Sequence, residues 1–269
     1  MHPRLRALAA LRLADPNQKV EATRALAASD DLADIGSAAV RSAGDDDGVP
    51  GRPERPSRVA ATAVPRRSPF TTEGRAALVH SICHIEFNAI NLALDALWRF
   101  DGMPADYYRD WLRVADEEAQ HFSLLHAHLQ KMGWRYGDFP GHDGLWTMCE
   151  RTKDDVLARM ALVPRTLEAR GLDATPLIQA KLRRVDTPDA HEAVAILDII
   201  LRDEVGHVAI GNHWYRWLCE RVGKNPEALY PQLVAHYEAP RLKPPFNLEA
   251  RARAGFSDDE LRALGAPGA

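Results

Sequence analysis

Asp116-Glu117-Glu118-Ala119-Gln120-His121 and Asp203-Glu204-Val205-Gly206-His207 are the two stretches on which the reading of this chain turns. Each holds Glu-x-x-His inside a long helical pattern. On a helix, residues i and i+3 share a face about one turn apart. Glu118 with His121, and Glu204 with His207, can each offer a carboxylate and an imidazole to one point in space. Each motif is preceded by a helix with one further glutamate on its apolar stripe, Glu86 in the first case and Glu168 in the second. Four carboxylates and two imidazoles from four helices are what a carboxylate-bridged two-metal site in a four-helix bundle requires.

Outward from the motifs, the helix boundaries follow from caps and breakers. The helix carrying Glu86 runs from about Thr72 to Phe100, with Thr71 or Thr72 as cap and Asp101-Gly102 as stop. The next begins near Pro104 and ends near Met132-Gly133. Trp134 to about Thr152 form a long connection with some helix in its second half. A third helix starts near Lys153, reaches Gly171 and resumes after Thr175-Pro176 to about Val185; Pro164 kinks it or marks a fresh start. Thr187-Pro188 opens a fourth that extends to about Val222. The long second connection suits a crossover between two helix hairpins.

The heights of the glutamates agree. Glu86 lies about 14 residues before the first turn and Glu118 about 14 after it. At about 1.5 Å per residue both are about 21 Å from that turn, hence level. Glu168 and Glu204 stand in the same relation to a turn near Asp186. The faces agree as well. Glu86 is in line with Val79, Ile82, Cys83, Ile90 and Leu97, Glu118 with Trp111, Val114 and Phe122, and Glu204 with Leu197, Ile200 and Val208. These stripes should face a core. A buried unpaired carboxylate costs several kcal/mol or takes up a proton, so four carboxylates at one level call for cations, and two divalent metals supply the balancing charge.

A single Glu-x-x-His is weak evidence; two, each level with a lone glutamate, are far more specific. Glu168 rests on the least regular helix, with Glu150 and Asp154 as weaker substitutes. Glu117 and Asp203, just before the motif glutamates, are expected in a second layer, each orienting the histidine of the other motif. Tyr215, two to three turns beyond His207, is a candidate redox or substrate-contact phenol, although ordinary core packing with Trp98, Trp111 and Trp214 is the favoured explanation. His80, His84, His191 and His213 read as surface or satisfied core histidines, and Cys83 as a small buried hydrophobe.

The rest of the chain bounds the function. Hydrophobic residues make up 46% of the 269, enough for a sizeable core, and the formal charge of -4 gives no global case for nucleic acid. Three scattered cysteines argue against a disulfide framework and fit a reducing cytosol. No apolar run approaches the roughly 20 residues of a membrane span, so a soluble cytoplasmic protein is expected. Arg4 to Leu13 and Lys19 to Ala28 form two short helices split by Asp15-Pro16. From about Asp34 to Arg67 the composition is that of a linker, with an acidic run and a Pro/Arg-rich stretch that cannot fold alone. The domain reading is an extension over 1–70, a helical bundle over 71–222 and a tail over 223–269. In the tail, Pro240, Pro244 and Pro245 keep the chain extended, Asn247 caps a short helix, and Ser257-x-x-Glu260 is a capping box for a last one.

The pattern Glu86, Glu118-x-x-His121, Glu168, Glu204-x-x-His207 resembles the ferritin-like di-iron carboxylate superfamily. The stretches His84-Ile85-Glu86, Ala115–His121, Val163–Gly171 and Arg202–His207, with Pro50-Gly51-Arg52-Pro53 and Pro244–Arg251, are similar to the mainly bacterial domain-of-unknown-function 455 family within it. The resemblance covers Pro50 to Phe256. It implies an all-α, ferritin-like four-helix bundle with a dinuclear site of two Fe ions, Mn or a mixed Mn/Fe pair being compatible. It brings no substrate with it. The expected function is an oxidoreductase that uses dioxygen or peroxide to oxidise a small-molecule substrate with an unassigned electron donor, as a monomer or homodimer. The rival is an iron-handling or metal-stabilised structural protein. A tRNA-hydroxylating enzyme is a third reading, which the acidic charge disfavours.

Overall fold

The computed structural model describes residues 1–32, 35–36, 39–42 and 44–265. Among them the regular structure is helical, apart from one isolated bridge between Arg58 and Gly141. The all-α expectation holds. The chain divides into two compact units, Met1–Trp146 and Thr147–Ala269.

The first unit holds α1 (Pro3–Arg12), α2 (Pro16–Ala27), α3 (Thr72–Arg99) and α4 (Ala105–Lys131). Asp15-Pro16 both separates α1 from α2 and starts α2. The Asp15 carboxylate accepts the Gln18 N–H at 2.9 Å, and Pro16 takes the first helical position, where its missing N–H costs nothing. Thr71 Oγ1 caps α3 by accepting from Gly74 N at 3.1 Å. α3 packs on α4, α1 on α3, and α2 on α4. Leu8, Leu11, Leu26, Leu94, Trp98, Trp111 and Leu125 are buried among them. By length and composition α3 could cross a membrane, contrary to the reading that no run approaches a span. However, 78% of its most apolar window is buried inside the protein, as in a core helix.

Polar ties order the proline-rich segment, whose expected start at Asp34 lies outside the described residues. The buried Lys19 ammonium donates to the carbonyls of Leu11 (3.0 Å) and Gly51 (3.0 Å) and to the side-chain oxygen of Asn91. Gly51 N donates back to Leu11 O at 2.8 Å, and Val59 N donates to Gly141 O at 2.9 Å. A stretch too polar to fold alone is thus held by backbone bonds to its neighbours.

α5 (Gly144–Arg151) supplies the helix expected late in the long connection. The second unit then runs through α6 (Val156–Leu162), a π-helical segment (Val163–Glu168), α7 (Ala169–Arg183), α8 (Pro188–Arg221), α9 (Pro226–His236), α10 (Leu248–Arg253) and α11 (Asp258–Gly265). α8 packs against α6, the π segment and α7, while α9 lies on α6 and α8. Ala169, Leu172, Val208, Ala250 and Ala254 form a buried cluster there.

Two local expectations are corrected and one is refined. The third helix does not break at Gly171 to Pro176, because α7 is continuous through both. Pro176 cannot bond the Leu172 carbonyl, and Asn247 Nδ2 donates to that carbonyl instead at 3.2 Å. Pro164 interrupts the helical run, as expected, in the form of a π-helical segment that begins at Val163 after α6 ends at Leu162. Its ring would clash with the carbonyl four residues back, and the chain widens into a π turn that removes the clash. Residues 226–236, read as extended tail, form α9 with Asn225 as its cap. The two caps expected further on are present. Asn247 Oδ1 accepts from Ala250 N at 3.2 Å. Glu260 N donates to Ser257 Oγ at 3.2 Å while Ser257 N donates to Glu260 Oε2 at 2.8 Å.

Candidate metal centre

In the first unit the α3–α4 packing brings three of the predicted ligands together. Glu86 comes from the middle of α3, and Glu118 and His121 from successive turns of α4; all three are buried. One donor atom from each can be chosen so that all lie within 4.8 Å of one another. His121 Nδ1 stands 3.3 Å from Glu118 Oε2 and 3.4 Å from Glu86 Oε2. The imidazole thus turns Nδ1, not Nε2, toward both carboxylates.

Electrostatics there are those of crowded acids sharing too little positive charge. Burial pushes the Glu86 carboxyl well above the usual range, and the neighbouring Glu118 charge pushes it the same way; the hydrogen bond with His121 opposes both. Burial alone would lower the His121 pKa, but Glu118 and Glu86 together raise it to about 11. Without a metal, protons do the balancing. Hard carboxylate oxygens and an imidazole around a buried point are a donor set for Fe, Mn or Zn. Cys83 is not one of the donors: burial and then Glu86 raise its thiol pKa well above the usual value, and Sγ faces Phe122 O at 3.8 Å.

The second unit carries the matching residues. Glu204 and His207 are buried on α8, with His207 Nδ1 3.7 Å from Glu204 Oε1. Glu168 is the last residue of the π segment and is also buried. π turns inside α-helices are rare and recur at functional sites.

Glu117 and Asp203 are both half-buried. Asp203 accepts from its neighbour Arg202, Nε to Oδ1, at 2.8 Å. The Tyr215 hydroxyl donates to Pro226 O at 2.7 Å and so ties α8 to the start of α9; burial raises its pKa. His80 and His84 are buried core residues; His84 is satisfied, whereas His80 Nδ1 has no hydrogen-bond partner among the described residues. His80 Nε2 accepts from Gly137 N at 2.9 Å, and His84 meets the Tyr136 hydroxyl at 2.8 Å. His191 faces Asp186 at 2.8 Å on an exposed helix start, and His213 stacks edge-on against Trp214.

One charged residue was overlooked in the sequence. Arg165, in the π segment, is buried and lines a cavity of about 640 Å³ together with Tyr230, Val234, Leu242, Phe246 and Phe256. The volume is within the range of small-molecule pockets. The available signal was an arginine following the apolar run Met160-Ala161-Leu162-Val163.

Over residues 12–262 the sequence matches the family described as "Protein of unknown function (DUF455)". The chain belongs to the DUF455 family. This DUF455 chain is also 51% identical, over 223 residues, to an uncharacterized protein of Haemophilus influenzae; the match spans 80% of the chain and 76% of that protein. No solved structure matches it.

Proposed function

We propose that this DUF455 protein is a ferritin-like dinuclear metal oxidoreductase. Glu86, Glu118, His121, Glu168, Glu204 and His207 bind two iron ions, and the protein uses dioxygen or peroxide to oxidise a small molecule. The observation that carries the reading is the buried Glu86–Glu118–His121 cluster. Two carboxylates taken out of water against each other are a poor stability element unless a cation joins them. The repetition of Glu-x-x-His plus one buried glutamate in the second unit supports the same donor chemistry there.

When bound, a ferrous pair supplies two electrons for reduction of dioxygen or peroxide, and manganese or a mixed pair fits the same donors. The chain's own part is to hold and shield. His121 and His207 present Nδ1 to their neighbouring glutamates, so Nδ1 is the nitrogen each offers to a metal. Burial keeps bulk water from the acids. Metal entry displaces the protons that Glu86 and His121 hold in its absence. The cavity beside Arg165 gives a small substrate room within the second unit.

Anaerobic loading with ferrous ion, followed by admission of air and optical recording, tests the reading. The expected result is uptake of about two irons per chain and an oxo-bridged diferric absorption that grows on exposure to air. Iron that is taken up but ignores air, with only a higher melting temperature, would assign the metal a structural role. Failure to bind iron or manganese at all would end the proposal.

A further inference from the structure

The π segment is tied to the rest of the second unit at three successive residues. Pro164 abuts Gly211 of α8, where an added β-carbon would lie 2.6 Å from its ring. Arg165 donates through one terminal nitrogen to Asn212 Oδ1 of α8 at 2.6 Å and through the other to Glu260 Oε1 of α11. Its guanidinium also lies 4.8 Å from the ring centres of Tyr230 and Phe256 and 5.2 Å from that of Tyr215. Thr166 Oγ1 donates to Ala161 O at 2.7 Å, which leaves the Tyr230 hydroxyl of α9 as donor to Thr166 across 2.8 Å.

Such anchoring needs a reason. A π turn is less favourable than the α-helix it interrupts, and a buried ion pair is often no more stabilising than well-packed apolar residues of the same volume. What a two-pronged guanidinium provides is fixed geometry. Glu260 is itself held on its other oxygen by Ser257 N (2.8 Å) and Arg216 (3.1 Å), so it acts as a rigid post. Glu168, three residues after Arg165, closes the segment that these ties hold.

We propose that Arg165 and Glu260 are positioning residues: their ion pair locks the π segment and through it aims the Glu168 carboxylate at the metal. On this view α11, near the far end of the sequence, is part of the apparatus that shapes the site. The inference rests on the metal reading above.

The test uses cobalt(II), whose visible absorption reports the number and kind of ligands, on the full chain. Wild type is expected to take up two ions. Glu260→Gln keeps the volume and removes the charge. It should weaken cobalt binding by about tenfold or more, as for other residues that orient metal ligands, and change the visible band intensity. Arg165→Lys keeps the charge and loses the fork, so it should fall between the two and carry the test if the first variant does not fold. Asp15→Ala removes the side-chain cap of α2 in the first unit and leaves the Arg165–Glu260 pair and its supports intact; it should melt earlier with an unaltered cobalt spectrum. Wild-type affinity and spectrum in Glu260→Gln, or an equal spectral change in Asp15→Ala, would overturn the positioning role while leaving the metal reading standing. A wild-type chain that takes up no cobalt would remove the metal reading itself, and this inference with it.

Discussion

Gly211 and Pro164 touch so closely that a methyl group on the former would overlap the ring of the latter, at 2.6 Å from both Cβ and Cγ. Pro164 forces the π turn, and Gly211 is what lets α8 approach it. Gly211→Ala should therefore lower stability by about 1–3 kcal/mol, the usual cost of overpacking, even though alanine is the better helix former. A urea melt measures it. A midpoint at or above wild type would mean that the two helices separate freely and that the contact constrains nothing.

A pH dependence follows from the first unit's acids. In the metal-free chain the folded state holds the His121 proton up to about pH 11, whereas an unfolded histidine releases it near 6.5. The folded chain thus binds more protons over that window, and its stability falls as pH rises through it. Glu86, also raised, acts in the same direction from the ordinary carboxylate range upward. Metal must displace these protons, so affinity for iron or cobalt should rise from pH 6.5 to 8, and binding should release protons to the buffer. Calorimetry in buffers of different ionisation enthalpy counts them; no release would contradict the protonated cluster.

Lys19→Ala should cost about 3 kcal/mol. It strands the buried Gly51 carbonyl and the Asn91 oxygen and leaves Leu11 O with Gly51 N as donor, and hydrogen bonds from a charged donor are worth about 1.5–3 kcal/mol each before relaxation. Chemical denaturation gives the number. A loss under about 1 kcal/mol would show that water replaces the ammonium.

The Leu172 carbonyl offers a double-mutant cycle. Asn247→Ala removes both the cap on Ala250 and the bond to Leu172 O. Pro176→Ala restores an N–H that can reach the same carbonyl. The cost of Asn247→Ala should accordingly shrink by about 0.5–1 kcal/mol in the Pro176→Ala background, since the cap is lost in both arms and cancels. Strict additivity would mean that Asn247 does not compensate for the proline.

Much of this was legible beforehand for local reasons. Thr71 as cap, Asp101-Gly102 as breaker and Pro188 at the first helical turn bound their helices, and Asn247 and Ser257-x-x-Glu260 are caps within four residues of what they bind. The meeting of Glu86 with Glu118 followed from helix rise and a short turn. What escaped depended on partners distant in sequence. α7 survives Pro176 because of an asparagine 75 residues from Leu172, and Arg165 is explained by a glutamate 95 residues away. α9 escaped although Leu229, Tyr230, Leu233 and Val234 repeat at helical spacing: Pro231 lies inside the segment, and none of its residues is fully buried.

That last separation sets an order of assembly. A nascent chain that has emerged as far as His121 already possesses every member of its first acidic cluster, whereas the anchor for Arg165 is synthesised 95 residues after the arginine itself. Domains released earliest from the ribosome fold first. A translation product that stopped short of α11 would carry the complete Glu86–Glu118–His121 trio and a Glu168 with no fixed aim. Maturation of the proposed centre would then have to await the synthesis of α11.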